Sequence, residues 1–439
     1  MGRSVCVVGS GPGGMYAAQR VLERLADCRV DVLERLPSPF GLIRGGVAPD
    51  HQTTKNVSRA FEKTLADPRV RYIGNVEMGR DVQLAELEGI YDAVFLAYGA
   101  PWDRKLGIPG EDKKNVFGSN AFVGWYNCHP DFKDLNPDLD VAAAVVIGVG
   151  NVAIDVARVL VKTPAEMVAT DLAEHAARAI HPAPVKDVDM VGRRGPAEAA
   201  FTNVELRELG HLENCSTVTD QSVLPDRIDP AGMDDKDFRV RSKNLETMRG
   251  FTGADAAAKG KRLHIVFYAS PVEIVGGDRV EGVRFERTRV EQGRTVGTGE
   301  TFVIPCGLAV TCIGSRAQAI PGVPIDERAG IVRNDRGRVH PGVYAVGWLK
   351  RGASGTIGTN RLDSYDVVDL MIEELPETAK PGPAALDRLL GERKVRVVDL
   401  KDWRAIARFE EENAPKGAPR RKFVTPDEMI AALDKVPAA

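Results

Sequence analysis

The sequence has no apolar run approaching the roughly 18 residues of a membrane-spanning helix, so no membrane span is expected. It has no excess of positive charge either. Its 59 Lys and Arg stand against 62 Asp and Glu, a net charge of −3, and that balance does not suggest a nucleic-acid-binding surface. The six cysteines (Cys6, Cys28, Cys128, Cys215, Cys306, Cys312) are scattered, and none forms C-x-x-C or C-x-x-x-x-C. Neither a zinc site nor a redox dithiol is indicated, and no metal is expected. This usage fits a reducing cytoplasm. No signal-peptide pattern is expected, because the apolar run after Arg3 leads straight into glycines. Short-period repeats and low-complexity segments are absent too. A chain of 439 residues with 43% hydrophobic content is nevertheless too long for one core, and two or three domains are expected.

What is present begins at the N-terminus. Val5-Cys6-Val7-Val8 is a short apolar run, Gly9-Ser10-Gly11-Pro12-Gly13-Gly14 follows at once, and Met15 to Leu22 is rich in helix formers. Strand, glycine turn and helix are the context that a G-x-G-x-x-G fingerprint requires. Gly9 would make the tight turn, Gly11 would admit a pyrophosphate, and Gly14 would let helix and strand pack closely. The helix N-terminus then offers N–H groups and a partial positive charge to the phosphates. A second strand, Val30 to Leu33, ends in Glu34, placed to accept hydrogen bonds from an adenosine ribose.

The loop from Leu36 to His51 is rich in glycine and proline, and too apolar for an idle surface loop. Lys55 to Leu65 reads as an amphipathic helix, Arg71 to Val76 as a strand, and Tyr91 to Ala100 as a buried strand ending near Gly99. Ala143 to Ile147 then opens a second unit, with Gly148-Val149-Gly150-Asn151-Val152-Ala153 as a G-x-G-x-x-A fingerprint and a helix from Ile154 to Val161. Two fingerprints point to two nucleotides and to electron traffic between them. After a helical insertion over about 164–180, the strand Val188 to Val191 ends not in a carboxylate but in Arg193-Arg194. Guanidinium forks bind phosphate bidentately, so the pair suits an extra 2′-phosphate, the alternative being two solvated arginines. Leu308 to Gly314 closes the second domain and Pro341 to Trp348 returns to the first. A helix from Asp363 to Glu373 follows Gly355-Thr356-Ile357, and Thr425-Pro426-Asp427-Glu428 forms a capping box for a last helix.

Taken together, several stretches resemble the adrenodoxin-reductase-type ferredoxin–NADP reductases. They are the first fingerprint, Leu33 to Leu42, Gly46 to His51, Gly150 to Arg158, Val191 to Pro196 and Val346 to Gly352. The resemblance spans most of the chain. It implies an α/β fold of two Rossmann-like dinucleotide-binding domains, the first discontinuous, as in glutathione-reductase-like flavoproteins. The segments would be 1–101 and 321–439 for FAD, the latter with a C-terminal helical extension, and 102–320 for NADP. By similarity, Gly13, Glu34, Leu42, Trp348 and Gly355-Thr356-Ile357 would hold FAD. Asn151, Val152, Arg193, Arg194 and Glu205 would hold NADP(H), with Gly355 near the nicotinamide. His51, Glu208 and Asp155 would help to place the nicotinamide and handle protons. Val149, Glu198-Ala199 and Phe40 depart from the residues usual in the family.

Bland readings stand beside these. His51 could cap a turn, Glu205 and Glu208 could be solvated carboxylates on one helix face, and Trp348 could be core. The family's chemistry is the passage of electrons from NADPH through FAD to a ferredoxin-type iron–sulfur protein. Without a cysteine pair to relay them, electrons would leave from the flavin edge to a docked partner. A monooxygenase, or a sensor that binds both nucleotides without turnover, are the rival readings. An acidic ferredoxin would need a basic face, and 236–249 holds Lys236, Arg239, Arg241, Lys243 and Arg249 against Asp237 and Glu246. A cytoplasmic monomer is expected.

Overall fold

Residues Val5 to Val8 are buried because the strand Arg3–Val8 lies inside a parallel sheet with neighbours on both edges. Parallel strands are covered on both faces and so read as continuous apolar runs rather than alternating ones. The computed structural model describes residues 2–375 and 380–435. The chain divides into two compact units: one takes the chain up to Trp102, Asn127–Lys133 and the chain from Ser315 onward, and the other takes Asp103–Tyr126 and Asp134–Gly314.

The sheet of the first unit runs in the order Arg338–His340, Val343–Ala345, Ala93–Leu96, Arg3–Val8, Cys28–Glu34, Val70–Gly74. All neighbours are parallel except the first pair. The N-terminal strand thus sits two places from a strand late in the sequence. The helix Pro12–Arg24 packs on the helix Thr359–Glu374, and the buried Ser364 hydroxyl donates to the Gly13 carbonyl at 2.9 Å. Segment 127–133 is pinned within this unit. Arg35 makes a two-pronged pair with Asp131 at 2.9 and 2.7 Å, and the Asn127 Oδ1 accepts from Lys422 at 3.2 Å. The helix expected from Lys55 to Leu65 is broken at Asn56–Val57, giving Gln52–Lys55 and Ser58–Leu65. At the C-terminus, Pro426–Leu433 has its full capping box, with Glu428 N–H on Thr425 Oγ1 at 3.1 Å and Thr425 N–H on the Glu428 carboxylate at 3.0 Å.

The second unit carries a six-stranded parallel sheet in the order Val116–Gly118, Leu308–Thr311, Ala143–Ile147, Asp187–Val191, Lys261–Val266, Cys215–Thr219. An antiparallel sheet of Ala269–Val275, Gly282–Glu291 and Arg294–Pro305 shares an apolar cluster with it. The insertion expected to be helical over 164–180 is helical only at Glu174–Ile180. No helix among the described residues is long and apolar enough to cross a membrane.

Candidate cofactor-binding sites

The first cradle forms where the strand Arg3–Val8 turns into the helix Pro12–Arg24. Gly9 has φ +108°, and a Cβ there would lie 2.5 Å from the Ala97 carbonyl oxygen. A Cβ on Gly14 would meet the Gly9 oxygen at 1.9 Å, and one on Gly13 the Cα of Gly347 at 3.4 Å. Gly11 is the opposite case, since nothing lies within 4 Å of its Cβ position. Gly9 and Gly14 are thus required by the protein itself, a Cβ on Gly13 would make an ordinary contact, and Gly11 alone faces open space. No acidic residue stands in the first helical turn to compete for its N–H groups.

Glu34 ends the second strand. Its Oε2 accepts from the Ser10 N–H at 3.0 Å and the Ser10 hydroxyl at 2.6 Å, and its Oε1 accepts from the Leu36 N–H at 3.2 Å. A carboxylate has about four acceptor directions, so roughly one is left for a ribose hydroxyl. The loop beyond comes back over the turn. Phe40 (φ +80°) donates its N–H to Ser10 Oγ at 3.0 Å, and a Cβ on Gly41 would stand 3.2 Å from the Gly11 Cα. Leu42 begins the short helix Leu42–Gly45 and remains 39% exposed. His51 sits at the N-terminus of the short helix Gln52–Lys55, half-buried. From the late segment, Trp348 heads the turn Trp348–Arg351 just after Gly347 (φ +68°), which donates its N–H to Asp363 at 2.6 Å. Gly355 (φ +78°) and Thr356 are exposed and Ile357 is half-buried, in the loop that leads into Thr359–Glu374.

The second cradle repeats the geometry. Gly148 has φ +142°, and its Cβ would lie 2.4 Å from the Cys312 carbonyl oxygen. Gly150 caps the helix Asn151–Val161, with only the Ala200 methyl at 4.0 Å from its Cβ position. Ala153, in the third fingerprint position, is buried. Asn151 Oδ1 accepts the Thr202 N–H at 2.8 Å, which leaves the amide NH2 pointing elsewhere, and Val152 is 42% exposed. At the tip of the strand Asp187–Val191, Arg193 is exposed and Arg194 half-buried. Their carbonyls accept from Thr288 Oγ1 at 2.8 Å and the Tyr268 N–H at 3.2 Å. Neither guanidinium has a hydrogen bond or ion pair among the described residues, as a pair kept for an anion requires.

A family profile described as pyridine nucleotide-disulphide oxidoreductase matches residues 3–185. The NADPH-ferredoxin reductase FprA of Mycobacterium tuberculosis (strain ATCC 25618 / H37Rv) is 41% identical over 453 residues, covering 97% of this chain and 98% of the relative. The human mitochondrial NADPH:adrenodoxin oxidoreductase is 40% identical, covering 98% and 91%. A solved structure of the Mycobacterium tuberculosis FprA in complex with NADPH superposes with a TM-score of 0.92, covering 99% of this chain and 100% of the other. The chain belongs to the adrenodoxin-reductase-type ferredoxin–NADP reductases. It is a flavoprotein oxidoreductase of two Rossmann-like domains that uses FAD and NADP(H).

Within that family frame, Asp155 and Glu208 share one partner. Arg158, 1% exposed, places Nη2 2.8 Å from the Asp155 carboxylate and Nη1 2.7 Å from that of Glu208. The guanidinium therefore joins the fingerprint helix to the helix Asn203–Glu208, on which Glu205 is the third residue and donates its N–H to Thr202 Oγ1 at 3.5 Å. Sequence reasoning passed over Arg158, although its i, i+3 spacing from Asp155 was the available signal. It also passed over Ser10, which donates twice to Glu34 and has no local pattern to betray it.

Proposed function

We propose that this reductase takes a hydride from NADPH onto FAD and delivers the electrons singly to an iron–sulfur protein of ferredoxin type. FAD supplies the chemistry the polypeptide lacks, accepting two electrons together and releasing them one at a time. The observation that carries the reading is a pair of glycine cradles, one ending in a carboxylate and the other in two arginines whose guanidinium groups have no partner among the described residues. Gly9, Gly11, Gly13 and Gly14 shape the FAD pyrophosphate site, Glu34 takes its ribose, and Leu42, Trp348 and Gly355-Thr356-Ile357 border the ring system. Gly148, Gly150, Asn151 and Val152 take the NADP(H) pyrophosphate, Arg193 and Arg194 its 2′-phosphate, and Glu205 its ribose side. His51, Asp155 and Glu208 place the nicotinamide and handle protons, with Arg158 holding both of the last two carboxylates.

The acceptor is acidic and docks on a basic helix, Asp235–Arg249, where Lys236, Arg239, Lys243 and Arg249 are exposed. Arg241 turns inward to the Ala197 carbonyl at 2.7 Å. Asp235, Asp237 and Glu246 dilute the charge of this helix without cancelling it. The reductase acts as a cytoplasmic monomer. Anaerobic addition of NADPH should bleach the yellow protein within turnover time, and cytochrome c reduction should require added ferredoxin. A colour that persists under NADPH would instead mark a nucleotide-binding sensor.

A further inference from the structure

The loop over the FAD cradle is held from its outer side by the C-terminal extension. Arg44, in the four-residue helix Leu42–Gly45, gives Nη1 to Glu410 Oε2 at 2.8 Å and Nη2 to Oε1 in a still shorter contact. Glu410 lies on the helix Leu400–Glu412 with its side chain wholly buried, and Arg44 is 12% exposed. The guanidinium lies over Trp403 at 5.4 Å, and Trp403 meets Phe40 edge-on at 6.3 Å. Three more groups of the extension converge here, one of them Arg420, whose Nη1 stands 3.7 Å from Glu410 Oε2. The Phe423 N–H donates to Glu410 Oε1 at 2.9 Å, and Lys422, 7% exposed, donates to the Arg44 carbonyl at 3.2 Å. Inward, the same loop reaches the cradle through Gly41 on Gly11 and through Phe40 to Ser10 to Glu34.

A helix of one turn does not hold itself in water, and Gly41 before it, Gly45 at its end and Gly46 after it add little backbone restriction of their own. A two-pronged charged pair fixes orientation as well as distance, and burial keeps water from replacing it. A buried ion pair is weak as a source of fold stability, since hydrophobic replacements of equal volume are often neutral. Directional control of the loop is what such a pair does supply.

We propose that Glu410 is a positioning residue for FAD: through Arg44 it keeps the loop 39–46 closed over the pyrophosphate turn and so sets how tightly the flavin is retained. This rests on the first cradle being the FAD site. The test uses the full chain and two variants, Arg44→Lys and the volume-filling double variant Arg44→Met/Glu410→Leu. FAD dissociation is followed by the fluorescence of released flavin, the FAD Kd by titration of the flavin-free protein, and unfolding of the flavin-free protein by far-UV circular dichroism. NADP+ affinity serves as the control. Losing one or two charge-assisted bonds to the loop should weaken FAD binding about tenfold to hundredfold. The double variant should show this with an unfolding midpoint near that of the parent and unchanged NADP+ affinity. FAD binding within about twofold of the parent in both variants would overturn the proposal, as would a loss that merely follows a lowered unfolding midpoint. A parent chain that binds no FAD would instead overturn the assignment of the cradle.

Discussion

At the first cradle the second strand ends in Glu34, already committed to Ser10 and Leu36, whereas at the second the corresponding strand is followed by Arg193 and Arg194, whose guanidinium groups have no protein partner among the described residues. The first is roofed by a loop tied down by Arg44 and Glu410, while the rim of the second leaves Val152 and Arg193 exposed. The glycine geometry is shared, so the difference lies in the surroundings. On the proposed assignment, the first cradle would keep its nucleotide as a resident group and the second would bind and release one as a substrate.

The sharpest way to break that contrast is a side chain in each turn. Gly11→Val fills the space above the first helix, and the protein should purify with little flavin. Gly150→Val, in the matching place, should leave flavin content intact and remove NADPH use. Full flavin in the first variant would take the fingerprint out of the account.

Next in size is the arginine pair. Each guanidinium can give a charge-assisted bond to a 2′-phosphate of about 1.5–3 kcal/mol. The double alanine variant should then lose roughly 3–6 kcal/mol, on the order of a hundredfold to ten-thousandfold in kcat/KM for NADPH. The loss should fall mainly on KM, with NADH use hardly changed. Arg194, the less exposed, should cost more than Arg193 when replaced alone. Equal losses with both nicotinamides would make the arginines structural.

A smaller effect separates the two cradles by pH. His129 packs against Gly45 of the first loop, and its Nδ1 accepts the Asp131 N–H at 3.3 Å. Burial pushes its pKa down to about 4, against the opposing pull of Asp131. The unfolded chain, with an ordinary histidine near 6.5, therefore takes up the proton first as pH falls. The stability held by neutral His129 is complete above 6.5 and is lost as pH drops towards 4, by about 2 kcal/mol between pH 7 and 5. Urea unfolding should show this slope, and His129→Gln should flatten it; an unchanged slope would dismiss the histidine. Smallest is the effect of salt on docking. As the Debye length falls from roughly 10 Å at 0.1 M to 3 Å at 1 M, ferredoxin reduction should slow several-fold and ferricyanide reduction much less. Equal slowing would count against the helix Asp235–Arg249 as an electrostatic dock.

What was legible in the sequence was local. Both strand–glycine–helix turns, the strand ending in Glu34, the Arg193-Arg194 tip and the Thr425 capping box each write their signal within a few residues, and each formed. The break at Asn56–Val57 escaped because an apolar face at 57, 61 and 65 keeps its period across a kink. The Arg44–Glu410 pair joins residues 366 apart, and the inclusion of Asn127–Lys133 in the first unit depends on partners at Arg35 and Lys422. Such pairings follow no periodicity, and only the folded chain brings them together.

The strand order of the first unit has a consequence for synthesis. Ala93–Leu96 is flanked by Arg3–Val8 on one side and Val343–Ala345 on the other, so that sheet cannot close until the late strand has left the ribosome. At roughly 5–20 residues per second, the about 250 residues between them delay closure by some tens of seconds. Through that interval the nascent chain carries an open, apolar strand edge, while the sheet of the other unit has all its strands once Thr311 emerges. Chaperone demand and aggregation during expression should therefore concentrate on the N-terminal hundred residues, and supplying flavin early cannot rescue a sheet whose last strand has not been made.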